Sequence, residues 1–204
     1  MSNNLFNRLN KPRITKYAPT LVGQTIPYRT KENTSITGNY IDQLVKTWAG
    51  VSTGLNTIVD LMIYGIEIKS KDIITNSDWS IGSMRLVDII NTPYEQSSVY
   101  QKLQALFLVE YNNDLCSITS ANLYYLDNDD AQSLIKAGYE AARQELIAIG
   151  INTTRKAYER IKGTPGFAFE RMESGTSFNF RITGYAMQKL VSVATSNNNQ
   201  LFMF

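Results

Sequence analysis

The sequence predicts an α+β fold, in which a helical central domain carries a β-hairpin and extended N- and C-terminal arms. Three observations lead to this prediction. Residues 1–38 show no sustained periodicity, whereas the apolar residues that follow recur with the spacing of an amphipathic helix. Farther along, two alternating segments rich in phenylalanine flank a turn sequence, which is typical of a hairpin. The chain has 204 residues and is 43% hydrophobic, so it is long enough to bury a core.

The predicted organisation has four consecutive parts, whose boundaries follow from changes in the residue pattern. They are an extended basic arm (1–38), a mainly helical core domain (39–163), the β-hairpin (164–186) and a C-terminal segment that ends in apolar residues (187–204).

The arm carries a net positive charge. Residues 1–40 have six basic side chains and one acidic one, a net charge of +5, while the rest of the chain has −3. Three prolines disfavour helix here, yet the arm contains too many apolar residues for an idle tail. We therefore expect it to lie on the body of the chain or on a neighbouring subunit, with these basic contact residues: Arg8, Lys11, Arg13 and Lys16.

The core domain is predicted to begin with a long helix. From Ile41 to Ile63 the apolar residues share one side of a helical wheel, and Gly65 supplies a stop. Residues 66–69 predict a short strand and residues 83–90 a short helix. A further helix, capped by Ser97 or Ser98, is expected to carry Val99, Leu103, Leu106, Phe107 and Tyr111.

The second half of the core domain alternates between strand and helix signals. Residues 114–126 are β-prone and follow a turn-like run of Asn and Asp. The acidic residues 127–130 are suited to a helix N-terminus and predict a helix to residue 149. This helix is expected to continue, after a break near Gly150, through residues 153–162.

The hairpin is the clearest β signal. The segments FAFERM and SFNFRI alternate around a turn with Gly175, and four phenylalanines share one face: Phe167, Phe169, Phe178 and Phe180. A two-stranded ribbon is barely stable alone, so these rings need a partner surface. That surface is either the chain's own helices or an adjoining subunit.

The last segment is predicted to form a helix or a strand before its apolar C-terminal residues. Chain termini are usually polar, and an exposed apolar terminus promotes aggregation. We therefore expect the following residues to be docked on a protein surface: Leu201, Phe202, Met203 and Phe204.

The composition excludes several kinds of chemistry. The chain has no histidine, so neither a Ser-His-Asp triad nor a Cys-His dyad can be built. A single cysteine, Cys116, excludes an intramolecular disulfide and a cysteine-rich zinc site, and its apolar neighbours indicate a buried thiol. We expect no metal, no cofactor and no enzymatic activity.

One segment nevertheless has a catalytic pattern. Gly50, Ser52 and Gly54 spell G-x-S-x-G, the nucleophile elbow of many serine hydrolases. An elbow needs a strand before the serine, whereas the preceding residues continue the helical stripe. Two interpretations stay open: Ser52 is a nucleophile, or it is a small helical residue whose hydroxyl bonds back to the carbonyl of Trp48.

The segment AGVSTG and its following apolar helix resemble the serine segment of patatin-like phospholipases. Residues 127–146 also resemble the last helix of bacterial members of that family. The resemblance implies an acyl hydrolase, active or inactive, with Ser52 as the nucleophile of a Ser-Asp dyad. The glycine-rich oxyanion loop and the Asp-Gly motif of the family are not found in this sequence.

The organisation of the chain resembles small bacteriophage virion proteins of the head–tail connector or tail-ring type. This resemblance implies a structural protein that forms a homo-oligomeric ring in the virion after assembly in the host cytoplasm. Its expected partners are copies of itself, neighbouring virion proteins such as portal or tail proteins, and DNA through non-specific contact. No membrane contact is expected, because the apolar runs are too short to span a bilayer.

Overall fold

The computed structural model describes residues 16–30, 35–49, 61, 65–74, 78–149, 160–173 and 176–199, with the side chains of the last range described to residue 195. These residues form an α+β fold with six helices and seven strands in two sheets. In chain order the helices and strands are α1 (16–21), α2 (Ile36–Ala49), β1 (Glu67–Asp72), β2 (Asp78–Arg85), α3 (Leu86–Asn91), α4 (Ser98–Lys102), β3 (Ala105–Asn112), β4 (Ser117–Tyr125), α5 (Asp129–Ile149), β5 (Arg160–Lys162), β6 (Phe167–Arg171), β7 (Ser177–Thr183) and α6 (Gly184–Asn199).

The chain divides into two units, each built from two separated stretches. Unit 1 comprises residues 1–76 and 104–125, and unit 2 comprises residues 77–103 and 126–204. This division differs from the four consecutive segments expected from the sequence, because β3 pairs with β1 and β4 pairs with β3, whereas the elements before and after β3 and β4 belong to unit 2.

Unit 1 is a three-stranded sheet with helices on one face. Its strand order is β1-β3-β4, with β1 parallel and β4 antiparallel to β3. Phe107 and Val109 of β3 point to the core face, where they pack with Leu21 of α1 and Ile41 of α2. The ring of Tyr17 stacks on Trp48, with 3.8 Å between ring centroids.

Residues 16–30 belong to this core, which corrects the expectation of an extended arm over that range. Ala18, Leu21 and Ile26 are buried in the same cluster. The chain then bonds to β4: the Gly23 amide donates to the carbonyl of Ile118 at 2.8 Å. The apolar content of this segment is therefore used within unit 1.

Unit 2 is a four-stranded antiparallel sheet packed against helices. Its strand order is β2-β7-β6-β5. Helix α5 begins after Asn128, whose side-chain oxygen accepts the Ala131 amide at 2.9 Å, and two aspartates in its first turn suit the helix dipole. Its buried residues follow the helical period: Ala131, Ile135, Gly138, Tyr139, Ala142 and Leu146.

Two glycines let α5 approach the sheet. A Cβ at Gly138 would overlap the side chain of Phe167, and a Cβ at Gly163 would overlap the backbone carbonyl of Gly138. Gly163 lies in the turn between β5 and β6. The close contact between this turn and α5 therefore depends on the absence of both side chains.

Several predicted elements are confirmed. The predicted strands at 66–69 and 114–126 correspond to β1 and β4, the acidic helix start begins α5, and the hairpin is β6–β7. The last segment, predicted as helix or strand, is the helix α6. The first long helix is described as far as Ala49; residues 50–60 lie outside the described residues.

Three helix predictions are wrong in part. Residues 83–85 belong to β2, where pairing with β7 determines their conformation, and the helix α3 begins only at Leu86. Leu106, Phe107 and Tyr111 lie in β3, because the central position of that strand buries both faces of its apolar run. Residues 160–162, the end of the predicted continuation of α5, form β5, and residues 153–159 lie outside the described residues.

Candidate interaction surfaces

The strands of unit 1 bring three chain segments together at one end of the sheet. Because β1 and β3 are parallel, the end of β1 lies beside the end of β3, where Asp72 is the register partner of Tyr111. The residue after β1 stays attached there: the Ile73 amide donates to the Tyr111 carbonyl at 2.9 Å. The turn between β3 and β4 and the segment 25–30 reach the same end.

A polar clamp holds these segments together. One carboxylate oxygen of buried Asp72 accepts the amide of Ile74 at 3.1 Å and that of Asn113 at 3.4 Å. The Asn113 side chain in turn accepts the Arg29 amide at 2.7 Å and donates to the Arg29 carbonyl at 3.2 Å. Asn113 therefore pairs with Arg29 as a backbone strand partner does, and it fixes the segment to the turn.

Tyr111 supports the clamp from the core side. Burial raises the pKa of its phenol, and a hydrogen bond with the Arg29 side chain partly offsets that rise. The phenol therefore stays protonated at neutral pH, with the Arg29 guanidinium beside it and the Asp72 carboxylate nearby. The phenol, the Arg29 guanidinium and the Asp72 carboxylate thus interact with one another.

Large apolar side chains are exposed on the segments that the clamp joins. There are four of them: Tyr28 (54%), Ile73 (42%), Ile74 (60%) and Leu115 (69%). We call these four residues the apolar tip. Single exposed apolar residues are ordinary, but a group of large ones at one end of a fold marks an interaction site.

The apolar tip has no clear signature in the sequence. Its four residues come from three segments that are distant in sequence, and the parallel pairing of β1 with β3 brings them together. The local signal is weak: two isoleucines directly after an acidic residue, and a leucine inside a turn of Asn and Asp.

The residues singled out in the arm and the C-terminal tip are mostly outside the described residues. Lys16 is described and exposed at the start of α1. The others lie outside the described ranges: Arg8, Lys11, Arg13, Leu201, Phe202, Met203 and Phe204. Cys116, expected to be a buried thiol, is half-buried in the β3–β4 turn, with a positive φ of 48°.

The hairpin phenylalanines pack on the chain's own helices. Phe167, Phe169, Phe178 and Phe180 are all buried in unit 2. The ring of Tyr139 on α5 contacts two of them, with its centroid 5.4 Å from Phe169 and 5.8 Å from Phe180. Of the two predicted partner surfaces, the chain's own helices are therefore the correct one. The buried rings leave no surface for a neighbouring chain.

The opposite face of the unit 2 sheet carries a network of ion pairs. Glu170 accepts from Arg160 at 2.9 Å and from Arg181 at 2.7 Å, and Arg160 also bonds to Asp78 at 2.6 Å. The two carboxylates are largely buried, and the four charges cancel. Because each of these carboxylates is paired with an arginine, the network joins the four strands of the sheet and offers no free base among its residues.

Unit 2 also contains an open pocket of about 330 Å³ between the end of β2, α3 and the start of α4. Arg85 and Asp88 form its charged part, with 2.8 Å between the guanidinium and the carboxylate; their hydrogen bond lowers the pKa of Asp88 and raises that of Arg85. The Ser97 hydroxyl donates to the Tyr94 carbonyl and caps α4. The carboxylate is held as an ion pair, and the buried serine is used in capping.

The segment before the serine motif is helical. A nucleophile elbow needs a strand that ends just before the serine. The described residues before Ser52 form α2, which extends to Ala49. Ser52 itself lies outside the described residues, as do Gly50 and Gly54.

Within the described part of the chain, no cluster of three or more His, Cys, Asp or Glu side chains is placed to hold a metal ion. No helix within it has the length and apolar character needed to cross a bilayer. The sequence matches no protein-family model, and a search of curated proteins finds no match.

Proposed function

We propose that this protein is a structural virion protein that assembles as a homo-oligomeric ring in the head–tail connector or tail of a bacteriophage. The observation that carries the proposal is the apolar tip. Four large apolar side chains are exposed on segments that a hydrogen-bonded clamp joins at one end of unit 1. Exposed groups of this kind mark interaction sites, and a subunit of an assembly buries them against a neighbour.

The charge distribution supports binding to a partner with a negatively charged surface. The first 40 residues carry a net charge of +5, and Lys16 is exposed at the start of α1. In a virion this charge faces either an acidic portal or tail protein or the packaged DNA. Contacts of this kind are independent of sequence and weaken as salt rises.

The assembly test uses charged substitutions on the apolar tip. Full-length protein is expected to sediment as multimers, and Ile74→Glu and Leu115→Glu are expected to shift it to smaller species, because burying an unpaired carboxylate is unfavourable. Val87→Glu is the matched control, since Val87 is an exposed apolar residue of unit 2. A protein that stays monomeric at high concentration, alone and with its native partners, contradicts the proposal.

The virion location has its own test. Mass spectrometry of purified particles of the phage that encodes this chain is expected to detect its peptides in a fixed copy number per particle. Particles that lack those peptides contradict the virion role even if the purified protein forms multimers.

The acyl-hydrolase alternative rests on the G-x-S-x-G pattern and on the resemblance of residues 127–146 to a helix of patatin-like phospholipases. The helix before Ser52 argues against it, because the elbow requires a strand at that place. A fluorophosphonate probe is expected to leave the protein unlabelled. Stoichiometric labelling that is lost in Ser52→Ala favours the hydrolase over the structural role.

A further inference from the structure

The outer edge of β4 differs from the other sheet edges of this protein. An edge strand can pair with another chain unless charges, bulges or short length prevent it. Strand β1 carries four charged residues, β5 has three residues with a cation at each end, and β2 has an irregular register near Gly82 and charges at both ends. Strand β4 has nine residues, SITSANLYY, with no charge and no proline.

Only the beginning of β4 has a neighbour on its outer side within the described residues. The Ile118 amide donates to the Gln24 carbonyl at 3.1 Å, and Thr25 forms a bridge with Ser117. The register with β3 then shifts at Thr119. From Ser120 to Tyr124 the strand is regular, and no described strand pairs with its outer side.

We infer that the stretch from Ser120 to Tyr124 pairs antiparallel with the same stretch of a second copy of this chain. The two three-stranded sheets then join into one sheet of six strands, with a two-fold axis at the central residue, Asn122. Asn122 is exposed, so the edge is accessible at the axis. Two-fold pairing is the commonest symmetry of homo-oligomers.

The pattern of side chains favours a second copy over an unrelated strand. Pairing about Asn122 places Ser120 opposite Tyr124 on the polar face and Ala121 opposite Leu123 on the core face. Ala121 belongs to the apolar core cluster and Leu123 packs against it, while Ser120 and Tyr124 both carry a hydroxyl group. With no charge in the strand, no like charges face each other, which is the usual obstacle to pairing a strand with itself.

This inference deepens the homo-oligomeric part of the proposed function and rests on it. The β4 edge and the apolar tip are different surfaces of unit 1. Pairing through β4 makes a closed two-subunit unit, whereas a ring requires a second kind of contact. The tip is available for that contact.

Cysteine cross-linking in the full chain tests the pairing directly. In a Cys116→Ser background, Asn122→Cys is expected to give covalent dimers on mild oxidation, because residues opposite each other on antiparallel strands are about 5 Å apart between Cα atoms. Thr119→Cys is the matched control on the same strand. It is also exposed, but it lies roughly 20 Å from its symmetry mate.

A charge at the axis gives a second measurement. Asn122→Lys is expected to weaken self-association by about tenfold or more, because the pairing places two like charges directly opposite each other. Gln144→Lys is the control for the same charge change on an exposed position of α5. Circular dichroism checks that each variant is folded, since neither position is in a core.

The outcomes separate this inference from the proposed function. Equal cross-linking through Thr119→Cys and Asn122→Cys, or multimers that are unchanged by Asn122→Lys, overturns the β4 pairing and leaves the homo-oligomer standing. A wild-type chain that is monomeric throughout overturns both. Selective cross-linking through Asn122→Cys together with weakened association of Asn122→Lys supports the pairing.

Discussion

At the scale of single residues, a few buried polar side chains determine how segments meet. Asp72 and Asn113 join three parts of unit 1, and Glu170 joins two arginines on the unit 2 sheet. Tyr139 joins α5 to the segment after α3 in unit 2, because its hydroxyl donates to the Thr92 carbonyl at 3.1 Å. Such groups are costly to bury without partners, so each one restricts the arrangement around it.

The buried Tyr139 predicts a loss of stability at high pH. Burial raises the pKa of Tyr139 to about 12. In the unfolded chain a tyrosine ionises near pH 10, so its contribution is complete below about pH 10 and falls as the pH rises towards about 12. Two pH units correspond to about 3 kcal/mol of unfolding free energy at most.

Urea unfolding of the wild type and of Tyr139→Phe measures this effect. The variant loses a hydrogen bond and is expected to be the less stable protein at neutral pH, but the difference is expected to shrink above about pH 10. Tyr185→Phe, at an exposed position, is the control. A difference between wild type and Tyr139→Phe that stays constant from neutral pH to about pH 11 contradicts the prediction.

At the scale of elements, α5 is the helix on which the sheet of unit 2 packs. Its buried stripe faces the sheet, and the rings of the hairpin pack around Tyr139. Gly138 lies in that stripe, where it admits the side chain of Phe167. Glycine is unfavourable in a helix interior by about 1 kcal/mol relative to alanine, so its presence here reflects the close contact.

Gly138→Ala is therefore expected to destabilise unit 2 despite its better helix propensity. Overpacking of this kind typically costs about 1–3 kcal/mol. Gly38→Ala is the matched control in α2, where a new Cβ would meet only the Ser70 hydroxyl at an ordinary 3.5 Å. It is expected to be neutral or up to about 1 kcal/mol stabilising. Thermal unfolding of both variants decides the point, and equal effects contradict it.

At the scale of the whole molecule, the chain enters each unit twice. The stretch with β2, α3 and α4 is inserted between the two halves of unit 1, and β3 and β4 separate the two halves of unit 2. Each core therefore depends on residues that are far apart in sequence. Truncations must respect this arrangement, because the first described segment already belongs to a core.

Two deletions test how far the N-terminal region is part of unit 1. Removal of residues 1–15 is expected to leave unit 1 folded, whereas removal of residues 1–30 is expected to unfold it, because Ala18, Leu21 and Ile26 leave the core. Hydrogen exchange in the central strand β3, which pairs with β1 and β4 in both deletions, reports whether unit 1 unfolds. Equal protection of β3 in both deletions contradicts this assignment.

The sequence by itself determined the α+β class, helix α5, strands β1 and β4 and the β6–β7 hairpin. Each has a signal within a few residues: acidic residues at a helix start, a helical stripe, or alternation around a turn. Only the tertiary structure decided that Leu106, Phe107 and Tyr111 lie in a strand, that residues 16–30 belong to a core, and that Tyr28, Ile74 and Leu115 meet at one end of a sheet. These features depend on which distant strands pair, and a short apolar run fits a buried helix as well as a buried strand until its partners are present.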